Sequence, residues 1–117
     1  MKPARVIYMS WTRCAQELDD EFNEWYNEEH VPMATAGGQV SVVTRYRLSG
    51  EVDSDLSPYL TILEFEDDEK FKAWLASDAL AAAREDTRTK WQGRDMQTTS
   101  RAFYVPIWQW THSLSGT

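Results

Sequence analysis

"QVSVVTRYRL", residues 39–48, and "YLTILEFE", residues 59–66, decide the reading of this chain. The first alternates Val40, Val42, Thr44, Tyr46 and Leu48 on one side with Ser41, Val43, Arg45 and Arg47 on the other. Successive side chains of a strand leave opposite faces of its sheet, so a period of two marks a strand. The second stretch is rich in β-formers and reads as another strand. Only the polar loop "SGEVDSDLSP" separates the two, with no helix between them.

Outward from this pair, "ARVIYMSW", residues 4–11, reads as a first strand. Val6, Tyr8 and Ser10 lie on one face and Arg5, Ile7, Met9 and Trp11 on the other. A helix follows, with Asp19 as N-cap and Asp20 and Glu21 at the positive end of its dipole. Leu18, Phe22, Trp25 and Glu29 share one side at helical spacing, with Tyr26 adjoining. Pro32 disfavours helical geometry at Val31, so the helix is expected to end or kink near His30, and Gly37-Gly38 marks a turn. Asp67 or Asp68 then caps a second helix through about Ser77, with Phe71, Trp74 and Leu75 inward, and "DALAAARED" forms a further helical segment. "RAFYVPIWQWT", residues 101–111, reads as the last strand, with Pro106 placing it at a sheet edge or bulge.

The order is β-α-β-β-α-β in one α+β domain spanning residues 1–117. Two such halves predict a four-stranded antiparallel sheet with helices on one face, the ferredoxin-like arrangement. Several strands are apolar on both faces: Ile7 and Met9 oppose Val6 and Tyr8, and Leu60 and Ile62 oppose Leu63 and Phe65. The chain has no spare layer for the second face, so two subunits packing sheet to sheet are expected, with Trp108 and Trp110 beside Ile107 reaching the partner.

A net charge of −7 argues against nucleic acid or an anionic membrane as partner. Arg84, Arg88, Lys90 and Arg94 alternate with Glu85 and Asp86 and read as a solvated face. The single cysteine, Cys14, excludes an internal disulfide and fits a reducing compartment. With no signal-peptide pattern and no membrane-length apolar run, a cytoplasmic location is expected. His30 and His112 are too far apart for a metal motif, the run Asp19-Asp20-Glu21 lacks the spacing of a calcium loop, and no phosphate-binding glycine motif is present.

The candidate chemistry centres on His30, whose ordinary pKa of about 6.5 allows it to accept and donate protons near neutrality. Tyr26, four residues earlier, is its natural neighbour, whereas Glu29 points elsewhere. The plainer reading has His30 bonding carbonyls at a helix end. Tyr8, Tyr46 and Tyr59 come from different strands and could converge on a ligand oxygen, or simply pack. Trp11, Trp25 and the other tryptophans (six in all) suit core, interface or the walls of an aromatic-ligand site. Arg45 and Arg47 could hold a carboxylate or enolate, or stand exposed at a strand end.

"FNEWYNEEHVPM", Gly37-Gly38, the strand ending "RYRL", "PYLTILEFE" and a helix ending W-x-x-S together resemble the EthD-like family of the dimeric α/β-barrel superfamily. The resemblance runs over about residues 4–110, and its most specific part is Trp25-Tyr26-x-x-Glu29-His30-Val31-Pro32. It implies a ferredoxin-like homodimer whose sheets form a barrel with a pocket in each subunit. The superfamily includes cofactor-independent monooxygenases, polyketide cyclases, muconolactone-type isomerases, dehydratases and haem-degrading enzymes, as well as members with no known activity.

The expected function is a cofactor-independent lyase or isomerase doing proton-transfer chemistry on a hydrophobic aromatic or polyketide-like metabolite, with no metal. His30, Tyr46 and Tyr8 are the expected catalytic residues, and Trp25, Tyr26, Tyr59, Trp11 and Arg45 the expected substrate-binding residues. The alternatives are a cofactor-free monooxygenase and a non-catalytic dimeric binding or accessory protein.

Overall fold

The computed structural model describes residues 4–50 and 55–112; positions 51–54 of the expected polar loop lie outside them. Four strands, β1 (Val6–Cys14), β2 (Val42–Arg47), β3 (Tyr59–Phe65) and β4 (Met96–Tyr104), form one sheet in the order β2-β3-β1-β4. Every pairing is antiparallel. With the helices on one face this is the ferredoxin-like fold that the element order predicts.

The helical layer begins with a short 3-10 turn, Gln16–Leu18, followed by α1 (Asp19–Trp25). A five-residue π-turn, Tyr26–His30, carries the chain into α2 (Val31–Ala34). The helix therefore does not end at His30. Pro32 cannot donate a backbone hydrogen bond, and the wider π-turn, closed by Val31 N–H on the Tyr26 carbonyl, lets the helix pass through it. Asp19 is the first helical residue and not the cap; its carboxylate instead accepts a hydrogen bond from the Tyr59 hydroxyl. Helix α3 (Asp68–Leu75) is capped by Asp67, whose carboxylate accepts from Lys70 N–H at 2.8 Å, and α4 (Asp78–Trp91) by Ser77, whose hydroxyl accepts from Leu80 N–H at 3.1 Å. Phe71 and Trp74 are buried as expected, whereas Leu75 faces solvent.

The last strand lies earlier than predicted. Its first half, Met96-Gln97-Thr98-Thr99-Ser100, pairs with β1, and residues 105–112 have no regular structure. Trp11 faces Ser100 while Thr12 faces Thr98, so Thr99 is the extra residue of a β-bulge.

Two clusters make the core between sheet and helices. One gathers Val6, Leu63, Phe65, Phe71, Trp74 and Leu80; the other gathers Phe22, Trp25, Tyr26, Tyr59 and Trp91. The opposite face of the sheet carries Ile7, Met9 and Trp11, Leu60 and Ile62, Val42 and Tyr46, and Ala102 and Tyr104 as cross-strand neighbours, with no helix over them. Ile107 (95% exposed) and Trp108 (79%) stand in solvent just beyond β4.

Candidate functional site

Between the two clusters lies a cavity of about 350 Å³, bounded by residues of both. This volume corresponds to about a dozen water molecules and is at the small end for ligand pockets. The strands supply its floor. Ser10 sits opposite Thr61 on β3 and Arg101 on β4, and Thr12 sits opposite Thr98, so hydroxyls run across three adjacent strands. The Oγ1 atoms of Thr12 and Thr61 are buried; that of Thr12 has no hydrogen-bond partner among the described residues, and that of Thr61 lies within reach of the Tyr26 hydroxyl. A buried hydroxyl left unpaired costs about 1–3 kcal/mol, so a polar floor of this kind is not explained by packing.

The roof is aromatic. Helix α1 and the π-turn contribute Phe22, Trp25, Tyr26 and His30, and α3 contributes Trp74. Trp74 Nε1–H donates to the Ala34 carbonyl at 2.9 Å and Trp25 Nε1–H donates to Asp86 at 3.1 Å, so both indoles are held in place. The π-turn sets the His30 imidazole against two rings at once, 4.9 Å from Trp25 and 4.8 Å from Tyr26 between centroids.

His30 Nδ1 lies 3.3 Å from the Thr87 hydroxyl on α4. That hydroxyl has a single proton and gives it to the Ala83 carbonyl at 2.8 Å. It therefore accepts from Nδ1–H, which leaves Nε2 with the free lone pair. Burial lowers the His30 pKa to about 4; the Asp86 carboxylate opposes the shift and the Arg45 charge adds to it. The ring is neutral at pH 7. Burial raises the pKa values of Tyr8 and Tyr26, so both hydroxyls keep their protons.

The structure sorts the residues singled out in the sequence. His30, Tyr8, Trp25 and Tyr26 line the cavity. Tyr59 and Arg45 stand behind its wall. The Tyr59 hydroxyl is engaged by Asp19 and by Asn23 at 3.0 Å, and the Arg45 guanidinium lies 4.2 Å over the Tyr26 ring and donates to Asn27 at 2.9 Å. Tyr46, half exposed, and Trp11 leave the uncovered face of the sheet, so the three tyrosines do not converge. Parity explains this: Tyr46 pairs with Leu60, whereas its neighbour Arg45 pairs with Thr61 on the helix side.

Sequence reasoning missed Thr87, Arg84 and Arg101. The first two had a signal. Leu80, Ala83, Thr87 and Trp91 recur at helical spacing on the sheet-facing side of α4, and Arg84 borders them: it is exposed, as a solvated face requires, yet it also lines the cavity. Arg88 also borders the cavity but pairs with Glu85, and Lys90 and Arg94 both reach Glu21.

A ferredoxin-like α+β domain with an open cavity between sheet and helices is the class that fold and site define. The chain belongs to the family described as "Domain of unknown function (DUF4286)", whose profile matches residues 5–103. No curated protein sequence matches it. Among solved structures it is similar to an EthD family protein from Bacillus halodurans (15% identity, 88% of this chain and 99% of that one, TM-score 0.65), which bears out the expected relationship in fold. It is also similar to SnoaB, a cofactor-independent oxygenase from Streptomyces nogalater (14% identity, 97% and 99%, TM-score 0.55). A third is a dimeric ferredoxin-like protein of unknown function from Thermobifida fusca (9% identity, 89% and 91%, TM-score 0.56). Identities this low speak to the fold alone. No helix among the described residues is long and apolar enough to cross a membrane, and no cluster of metal-ligating side chains occurs among them.

Proposed function

We propose that this chain is a small cofactor-independent enzyme that moves a proton on a hydrophobic, oxygenated ligand, and that it acts as a homodimer. The observation that carries the reading is His30: a neutral imidazole with Nδ1–H anchored on Thr87, beside an aromatic roof and a floor of hydroxyls. Nε2 takes a proton from a carbon next to a carbonyl. The electron pair passes to the carbonyl oxygen, and the resulting enolate is held by the Tyr8 hydroxyl. Imidazolium and enolate form together, so each charge offsets the cost of burying the other. Return of the proton to another carbon completes an isomerisation; its delivery to a leaving hydroxyl completes a dehydration. Trp25 and Tyr26 provide flat apolar walls for the ligand.

Oxygen insertion is the second reading, favoured by the likeness to the oxygenase SnoaB. It starts from the same carbanion, which then gives electrons to dioxygen. The dimer rests on the uncovered apolar sheet face and on the exposed Ile107 and Trp108 beside it. Trp11 and Tyr46 belong to that face and are assigned to the interface.

The test is a panel of β-diketones, anthrones and phenols, with turnover followed by absorbance and binding by tryptophan quenching. His30→Gln is expected to lower kcat about 100-fold or more while quenching persists. A substrate turned over equally well by the variant removes His30 from the mechanism. Binding without turnover in either protein points to the non-catalytic accessory role.

A further inference from the structure

We propose that Arg84 of α4 and Arg101 of β4 form a carboxylate-binding subsite at one side of the cavity, so that the ligand is an aryl carboxylate. Its flat body would lie against Trp25, Tyr26 and Trp74, and its anionic end between α4 and β4. The inference rests on the ligand-binding reading above and narrows it to one chemical class.

Three observations carry it. Both arginines line the cavity, from different elements that face each other. Arg101 sits opposite Ser10, its cross-strand partner, and Arg84 borders Leu80 and Thr87 on α4; both arginines are exposed, so the subsite lies at the mouth of the cavity. Second, neither has an acidic partner among the described residues, although the chain carries 19 Asp and Glu. Arg5, Arg13, Lys72, Arg88, Lys90 and Arg94 all have one. Third, both arginines line the cavity together with Tyr8, whose hydroxyl feels both charges and a hydrogen bond from Arg84, each opposing the effect of its burial. Two like charges set around one opening repel each other, and an anion between them removes that repulsion. The planar fork of a guanidinium suits a planar carboxylate, and Tyr8 adds a neutral donor.

The experiment uses naphthoate and its neutral isostere naphthamide, each titrated into the intact protein by tryptophan quenching. Naphthoate is expected to bind at least about tenfold more tightly, corresponding to about 1.4 kcal/mol. Arg84→Gln and Arg101→Gln should each cut that preference, and the double variant should abolish it while leaving naphthamide affinity unchanged. Arg47→Gln, the same charge change on an exposed residue outside the cavity, should leave the preference intact. Equal affinities in the parent protein, or a preference that survives the double variant, overturn the subsite while leaving the aromatic cavity standing. Failure of both probes to bind overturns the cavity reading together with the subsite. A carboxylate preference alongside turnover that ignores His30 would keep the subsite and sink the catalytic reading.

Discussion

Each face of the sheet carries residues that the chain alone leaves unsatisfied. Beside the core residues Val6, Leu63 and Phe65, the face covered by helices carries Ser10, Thr12, Thr61, Thr98 and Arg101, and the Thr12 hydroxyl is buried without a partner among the described residues. The face that no helix covers carries Ile7, Met9, Trp11, Leu60, Ile62 and Tyr104. Burial alone explains neither the polar strip within the covered face nor the apolar residues on the bare one. Each face makes sense once something outside the chain is added: a ligand with oxygen atoms on the covered side and a second apolar surface on the other. The same strands thus serve two purposes, and the period of two keeps them apart.

Leu63 and Ile62 are neighbours in β3 on opposite faces, and they put the contrast to the hardest test. Leu63→Asp should cost roughly 4 kcal/mol or more and prevent folding, because it buries a charge in the core around Phe65 and Trp74. Ile62→Asp should leave the circular dichroism spectrum intact and convert the dimer to a monomer in sedimentation. If Ile62→Asp stays dimeric, the uncovered face is not the interface.

Protonation gives the next effect. The His30 pKa is about 4 in the folded protein, against 6.5 for an ordinary histidine. Between those values the unfolded chain binds a proton that the folded one refuses. This contribution to stability is therefore complete above about pH 6.5 and is lost as the pH falls towards 4, amounting to about 2–3 kcal/mol at about pH 4.5. Urea midpoints at neutral and acid pH should fall further for the parent protein than for His30→Gln, since carboxylate protonation is common to both. Parallel losses in the two proteins would mean that His30 is hydrated.

The smallest change has the most pointed sign. Thr12→Val keeps the shape of a buried side chain and deletes its unpaired hydroxyl, so it should stabilise the protein by about 1 kcal/mol while weakening oxygenated ligands. A stability loss on thermal melting would show that the hydroxyl already has a partner in solution.

Legibility in the sequence followed the same division. Strands β2 and β3 were readable because Val43, Leu63 and Phe65 alternate against a real core. The start of β4 was not, because Gln97, Thr98, Thr99 and Ser100 carry no apolar period: their inward positions meet a cavity, and a bulge shifts the count. The Trp-rich tail then drew the strand too far along the chain. At the site, Trp25, Tyr26 and His30 could be found from one helix alone. The face that Tyr46 occupies could not be read, because a strand pattern does not say by itself which of its two sides meets the helices. Arg84 was hidden because it is exposed like any charge on a mixed-sign helix, and only the fold shows that it borders a cavity.

The π-turn at Tyr26–His30 turns a chemical requirement into a requirement on chain length. Asn27, Glu28 and Glu29 all face solvent, and substitutions there should be tolerated as on any surface. Losing one of them is a different matter. The π-turn holds one residue more than a regular turn, so a one-residue deletion would return the segment to regular helical spacing and bring His30 one position closer to Tyr26, shifting the imidazole relative to Thr87 and Trp25. An exposed stretch indifferent to which residues it holds would then be strict about how many.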